Sequence, residues 1–113
     1  MSDLSAEDAK LVTLARATRS RSGAAEGAAV RDTDGRTYAA ATVDLASLKL
    51  SALQVCVGMA VASGSRGLEA AVLLTDLDAV APSDLAALAD FGGTGVVVHR
   101  ADVRGAVLEA LTT

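Results

Sequence analysis

The sequence predicts an α/β fold, a three-layer α/β/α sandwich built on a mixed sheet. The segment 46–64 carries one charge, Lys49, and apolar side chains on two helical faces, which indicates a buried central helix. Two short apolar runs flank Asp-Thr-Asp-Gly at 32–35, which is typical of a β-hairpin. The apolar runs at 69–75 and 95–99 alternate with helical patterns, which favours parallel pairing with right-handed crossovers.

The central helix is predicted to start near residue 46 and to need cover on more than one side. One apolar face consists of Leu45, Leu48, Ala52, Cys56 and Met59. A second face consists of Leu50, Leu53, Val57 and Val61. The run is too short to span a bilayer core about 30 Å thick, so we expect no membrane insertion.

A first helix is predicted over 5–19, because Ser5 and Asp8 have the spacing of a capping box. Its end is basic, and cations are favoured there by the helix dipole. We interpret these arginines as a solvated helix end, with a phosphate or RNA contact as the alternative. They are Arg16, Arg19 and Arg21. The inward-facing stripe consists of Leu11, Leu14, Ala15 and Thr18.

The remaining elements follow in chain order. The hairpin strands are predicted at 27–31 and 36–41. A helix is predicted from 82 to about 91 with Ser83 as its cap, because small polar residues are favoured at that position. Asp102 is predicted to cap a last short helix that ends near 111. The whole chain, 1–113, is predicted to form a single domain.

Composition limits the classes of function. Apolar residues make up 51% of the chain but aromatic residues only 2%, which leaves little material for stacking sites. The net charge of −4 disfavours general nucleic-acid binding, which requires a basic surface. The single cysteine, Cys56, excludes an internal disulfide, and the acidic N-terminus contains no apolar signal segment. A cytoplasmic location is therefore expected.

Several short segments together resemble one known family. They read SGAAEGAAV at 22–30, DGR at 34–36, TVDLAS at 42–47 and LADFGG at 88–93. In the small zinc-dependent cytidine deaminases, the corresponding segments read roughly SGFxVGAAL, a DGR-like turn, NVENAS and LAEFGG. The resemblance covers about 11–98, and it implies a cytidine deaminase-like fold that agrees with the one predicted from the residues.

The resemblance also shows which catalytic residues differ. In the family, zinc held by Cys or His activates water, and a Glu moves the proton. The family's C-A-E or H-A-E triplet falls on Ser51-Ala52-Leu53, and its P-C-x-x-C motif falls on 82–84, Pro-Ser-Asp. A chain with one Cys and one His cannot supply the three ligands from those residue types. We therefore expect neither bound zinc nor any other cofactor.

The family's substrate-binding positions are altered as well. The family Phe before VGAAL falls on Ala24, and the N-x-E pair that holds the ribose falls on Thr42 and Asp44. The resemblance leaves Thr42, Asp44 and Ser51 as the residues of a remnant ligand pocket.

Other reactive side chains have simpler interpretations. Cys56 acting as a nucleophile with His99 as its base is an alternative to a buried structural thiol and a strand-end histidine. Asp76 and Asp78 are interpreted as a solvated loop rather than as paired carboxylates. The glycines at 92, 93 and 95 are explained by turns and do not match a phosphate-loop pattern.

The sequence therefore predicts a catalytically inactive, oligomeric binding or scaffold module. We expect a dimer or tetramer, because a small sheet covers only one apolar face of the central helix. An unidentified protein partner is a further expectation. The alternative functions are a non-catalytic nucleoside or nucleotide binder and, more weakly, an enzyme of different chemistry in the same cleft.

Overall fold

The computed structural model of the protein describes residues 4–113. Within them, no helix is both long and apolar enough to cross a membrane. The elements in chain order are α1 (Ala6–Ser22), β1 (Gly27–Asp32), β2 (Thr37–Ala41), β3 (Val43–Leu45), β4 (Leu48–Leu50), α2 (Ala52–Ala62), β5 (Leu68–Leu74), α3 (Pro82–Gly92), β6 (Val97–Ala101) and β7 (Val107–Thr112).

A five-stranded mixed sheet forms the middle layer, with strand order β2-β1-β5-β6-β7. Strand β1 is antiparallel to β2 and to β5, as the predicted hairpin requires for the first pair. Strands β5 and β6 are parallel, and β7 closes the sheet antiparallel to β6. Helix α1 packs on one face, and α2 and α3 pack on the other. The predicted three-layer α/β/α fold is confirmed.

Two apolar cores, one on each face of the sheet, follow from the alternation of side chains along the strands. In β1, Ala28 and Val30 point into the core beneath α2, whereas Ala29 points into the core beneath α1. In β5, Ala71 and Leu73 alternate in the same way with residues 70, 72 and 74. Burial on both faces explains the continuous apolar runs of these strands.

The central helix is shorter than predicted. Helix α2 begins at Ala52, and the residues before it form the β3–β4 hairpin, in which Leu45 pairs with Leu48. These two leucines are 60% and 48% exposed, so they do not belong to a buried helical face. A capping box sets the helix start, because Ser51 Oγ accepts from the Gln54 amide at 3.0 Å and Gln54 Oε1 accepts from the Ser51 amide at 2.9 Å.

The predicted last helix is wrong, because the segment forms strand β7. Asp102 directly follows β6 and starts a tight turn, in which its Oδ1 accepts from the amides of Arg104 at 2.9 Å and Ala106 at 3.0 Å. Gly105 in this turn has φ 98°, a conformation that glycine adopts readily. An aspartate carboxylate can satisfy amides at a helix start or in a turn, and here it does the latter.

The predicted cap at Ser83 is also wrong, because Ala81 precedes α3 and forms no side-chain cap bond. The first helix is confirmed and extends to residue 22, with Ser5 Oγ accepting from the Asp8 amide at 3.0 Å. The Asp8 carboxylate does not complete the capping box, since it binds Arg31 and His99 instead. Of the predicted inward stripe, Leu14 is 37% exposed.

Candidate functional site

The first turns of α2 and α3 meet through one polar contact. Ser51, the N-cap of α2, donates from Oγ to Asp84 Oδ1 at 2.6 Å. Asp84 lies in the first turn of α3 and is only 3% exposed. The Ser51 hydroxyl also accepts from the Gln54 amide, so its donor and one acceptor position are occupied. The carboxylate lies at two helix N-termini, where the helix dipoles favour negative charge.

Leu53, two residues after Ser51, is an apolar residue in the first turn of α2. Leu53 is fully buried and belongs to the apolar core that also contains Val80 and Leu88. Burial of a leucine stabilises a fold by about 1.5–3 kcal/mol. The space beside the α2 start is therefore occupied by hydrocarbon, which cannot accept or deliver a proton.

The three predicted remnant residues have separate partners. Thr42 Oγ1 accepts from the Glu26 amide at 3.1 Å, at the end of β2. Asp44 pairs with Lys49 at 2.7 Å across the β3–β4 hairpin, and both side chains are largely exposed. Ser51 binds Asp84. The structure thus uses each predicted side chain in a different internal contact.

A polar contact that the sequence does not predict lies at the edge of the sheet where β1 begins and β5 ends. Glu26 immediately precedes β1, and Thr75 immediately follows β5. Thr75 Oγ1 donates to Glu26 Oε2 at 2.5 Å and accepts from the Leu77 amide at 3.0 Å. Pairing of Gly27 with Leu74 brings the two residues together, but this register cannot be read from the sequence without knowing the strand partners.

Cys56 and His99 lie on opposite sides of the sheet. Cys56 is buried in the core beneath α2, where burial raises the pKa of its thiol to about 12. His99 is in β6 and its Nε2 lies 2.8 Å from Asp8 Oδ2 of α1, on the other face. The sheet separates the thiol from the imidazole, which removes the geometric basis for a nucleophile–base pair.

Asp8 instead joins α1 to two strands. Its Oδ1 accepts from Arg31 Nη1 at 2.9 Å, and Arg31 Nε also donates to Glu69 at 3.1 Å. Burial alone raises the pKa of Asp8, but the hydrogen bonds and charges of His99 and Arg31 outweigh it and lower the pKa. Among residues 4–113, His99 Nδ1 has no hydrogen-bond partner although it is buried. The cluster holds α1 against β1 and β6.

Asp32, which is buried like Asp84, stabilises the turn between β1 and β2. It accepts from the amides of Asp34 and Arg36 at 2.9 Å each and from the Ser65 hydroxyl, while the Tyr38 hydroxyl lies at 3.3 Å. Burial alone raises the pKa of Asp32, but the hydrogen bonds from Ser65 and the two amides, with the Arg36 charge, lower it overall. With these donors in place, the carboxylate serves the fold rather than a reaction.

The family model for cytidine deaminase-like proteins matches residues 4–105. The chain belongs to the cytidine deaminase-like family. The family resemblance read from the sequence is thereby confirmed. No curated protein gives a match.

Solved structures share the cytidine deaminase fold with this chain. Cytidine deaminase from Burkholderia pseudomallei has a TM-score of 0.80 at 22% identity, over 91% of this chain and 90% of its own. The enzyme from Mycobacterium leprae has a TM-score of 0.72 at 22% identity, over 91% and 90%. The enzyme from Bacillus anthracis has a TM-score of 0.70 at 16% identity, over 96% and 84%. At these identities the likeness concerns the fold.

In this cytidine deaminase-like chain, the residues at the helix starts do not fit a zinc ion. Catalytic zinc takes three protein ligands from Cys, His and carboxylate side chains. The family's first ligand and its proton-transferring Glu fall on Ser51 and Leu53, and its P-C-x-x-C ligands fall on 82–84, Pro-Ser-Asp, which contains no cysteine. Of these residues only Asp84 is of a ligand type. Across residues 4–113, no group of three or more His, Cys, Asp or Glu side chains is arranged to hold a metal.

Proposed function

We propose that this cytidine deaminase-like protein does not deaminate cytidine and acts as an oligomeric binding or scaffold module. The main support for the absence of deamination is the contact between the starts of α2 and α3, where Ser51 donates to the buried Asp84. The donor and one acceptor position of the Ser51 hydroxyl are occupied within the chain, and Asp84 Oδ1 accepts from it. The Ser51 hydroxyl therefore needs neither a metal nor a substrate to complete its hydrogen bonds.

The chemistry of hydrolytic deamination supports the proposal. The reaction requires an activated water and a group that shuttles protons beside it. A serine hydroxyl is a poor substitute for a thiolate or imidazole as a zinc ligand, and a buried leucine cannot transfer protons. The chain's only cysteine and only histidine lie on opposite faces of the sheet, away from one another's reach.

Metal analysis and an activity assay test the absence of deamination. We expect purified native protein to contain far less than one zinc per chain and to leave the absorbance of cytidine and deoxycytidine unchanged. An active cytidine deaminase, assayed in parallel, shows that both measurements work. One zinc per chain, or turnover above that of the buffer, would contradict this part of the proposal.

The same sample distinguishes the nucleoside-binding alternative. Because Thr42, Asp44 and Ser51 already bind Glu26, Lys49 and Asp84, we expect no rise in melting temperature with added cytidine. A ligand that binds only the folded state stabilises it by an amount that rises with the logarithm of its concentration once that concentration exceeds the Kd. A concentration-dependent rise without turnover would favour the binder over the scaffold.

The outer surface of α2 supports assembly. The helix contains no charged residue, and its exposed side includes Val61 at 52% exposure. The segment leading into it carries the exposed pair Leu45 and Leu48. Helix α1 lies on the opposite face of the sheet and the C-terminal segment forms β7, so neither covers α2. Soluble proteins seldom leave such apolar surface open, and symmetric self-association is the common way to cover it.

We expect a dimer or tetramer in solution. Gel filtration with light scattering should give a multiple of the chain mass of 11.3 kDa. Val61→Glu should lower that mass, because a charge at an apolar contact must be desolvated. Val61 is half exposed, so the separated chain should stay folded by circular dichroism. Arg16→Glu on α1, in the opposite layer, should leave the mass unchanged. A parent mass of one chain at micromolar concentration would exclude assembly.

A further inference from the structure

A surface groove that the proposed function does not use runs along α1. Its walls come from α1 and from the turn between β6 and β7, and its volume is about 380 Å³. Helix α1 covers the sheet face opposite α2 and α3, so the groove does not share the contact between those two helix starts. The lining residues are Val12, Thr13, Arg16, Ala17, Ser20, Arg104 and Gly105.

The groove is positively charged in an otherwise acidic chain. Arg16 and Arg104 line it, and no carboxylate is among the lining residues. Within the described part of the chain neither arginine forms a salt bridge, whereas Arg31, Arg36 and Arg100 each do. The carboxylate of the turn, Asp102, accepts from two backbone amides at 2.9 and 3.0 Å, and its charge also attracts that of Arg104. Two like charges that share one groove repel each other, and an anion bound between them offsets this repulsion.

A glycine brings the two walls together. At Gly105, with φ 98°, a Cβ would lie 3.1 Å from Val12 Cγ1 and 3.7 Å from Arg16 Cδ. A larger residue would therefore be strained in its backbone and crowded against α1. The close approach of the turn places Arg104 in the same groove as Arg16.

We propose that this groove binds a small phosphate monoester. A guanidinium presents its N–H donors in a planar fork that matches phosphate oxygens, and two of them suit a dianion. Thr13 and Ser20 add hydroxyl groups to the lining, and Val12 and Ala17 add apolar surface for the carbon part of the ligand. The volume lies near the lower end of the range for small-molecule pockets, about 300–1,000 Å³.

A small ligand fits these features better than RNA does. A net charge of −4 repels a polyanion, and an RNA-binding surface normally combines many cations with aromatic side chains. The chain has one tyrosine and one phenylalanine, and neither lines the groove. The two arginines are sufficient for one phosphate group but not for a nucleic-acid backbone.

Titration of the full-length protein with phenyl phosphate at constant ionic strength tests the proposal. We expect saturable binding by calorimetry, with perturbed arginine side-chain signals in NMR spectra. Arg16→Gln and Arg104→Gln should each weaken binding about tenfold or more, as expected for loss of a charge-assisted hydrogen bond. Arg66→Gln, which removes an exposed arginine outside the groove, should change binding by less than about twofold. All three sites are exposed, so the variants should keep the parent circular dichroism spectrum.

Four results would overturn the proposal. The first is absence of saturable binding by phenyl phosphate. The second is equal weakening by Arg66→Gln, which would indicate a general charge effect. The third is tight, salt-dependent binding of an oligouridylate without binding of phenyl phosphate, which would assign the groove to RNA. Benzoate, a monoanion with the same ring, should bind more weakly than phenyl phosphate, and equal binding would also contradict a phosphate site. None of these outcomes depends on oligomeric state or on deaminase activity.

Discussion

Leu53→Glu is expected to lower the free energy of unfolding by about 4 kcal/mol or more, since it removes a buried apolar side chain and buries a carboxylate. Leu53 is fully buried in the core that contains Val80 and Leu88. Those two apolar side chains offer no hydrogen bond to an introduced carboxylate. Urea or thermal unfolding of parent and variant measures the difference. Glutamate is the residue that the family resemblance places at this position, so the variant also asks whether an ancestral side chain still fits.

The loss should depend on pH in a defined direction. Burial disfavours the charged form, so the pKa of the introduced glutamate is raised in the folded state above its unfolded value of about 4.3. A raised carboxyl pKa means that the folded state binds the proton more tightly, so the deficit shrinks as the pH falls toward the unfolded value. The deficit at about pH 5 should be smaller than at about pH 8.

Gln54→Glu provides the matched control, because it adds the same charge at the next position. Gln54 Oε1 accepts from the Ser51 amide, and a glutamate oxygen can take over that bond in the capping box. The first turn of a helix also favours negative charge. We expect a change within about 0.5 kcal/mol of the parent. If Leu53→Glu melted no lower than Gln54→Glu, the buried, apolar environment assigned to Leu53 would be wrong.

Ser51→Ala is expected to cost about 2–4 kcal/mol, because two effects combine. The substitution removes the side-chain acceptor that caps α2, and it leaves the buried Asp84 carboxylate without its hydroxyl donor. Ser83→Ala is the matched control at the start of α3. Ser83 is exposed and is not the cap of that helix, so its replacement should have almost no effect on stability.

A double-mutant cycle separates the two contributions of Ser51. If the hydrogen bond to Asp84 matters, Ser51→Ala and Asp84→Ala together should cost less than the sum of the single changes, by about 0.5–3 kcal/mol. Additive effects would show that Ser51 acts only as a helix cap. An equal loss of stability in Ser83→Ala would show that the effect of Ser51→Ala does not depend on the bond to Asp84. Chemical denaturation of the parent, the two single variants, the double variant and Ser83→Ala supplies the required values.

The fold could be predicted because its main signals are local. The apolar runs of β1 and β5 match burial on both sheet faces, and the turn at Asp32 lies between two runs of strand character. The start of α2 was harder to predict, because Leu45 and Leu48 continue the helical spacing of the residues after Ser51. In the structure the two leucines pair across a short hairpin. A spacing of three residues is compatible both with one face of a helix and with a tight hairpin.

The two aspartate turns show how the same local chemistry can be interpreted in two ways. Asp32 and Asp102 each accept through Oδ1 from the amides two and four positions later, and each turn places a glycine third after the aspartate. The first turn was predicted correctly because strand-like residues flank it. For the second turn the sequence wrongly predicts a helix cap, because the segment after Asp102 has apolar residues at a spacing that suits a helix or an edge strand.

The candidate site could be predicted only in part. The resemblance placed Ser51 and Leu53 at the start of the central helix, and the structure puts them there. The bond between Ser51 and Asp84 joins residues 33 positions apart and depends on how α2 packs against α3. No local pattern encodes that packing. From the sequence, only the basic end of α1 indicates the arginine groove. Arg104 is far away in sequence and reaches the groove only in the folded chain.

The bond from Asp8 to His99 has a consequence for the order in which the chain acquires its contacts during synthesis. The two residues are separated by 91 positions, so α1 leaves the ribosome well before β6 and meets this partner only when β6 has been made. Arg31, from β1, is available to Asp8 much earlier. A nascent chain can therefore place α1 against the first hairpin, while its attachment to the far half of the sheet must wait until β6 has been synthesised.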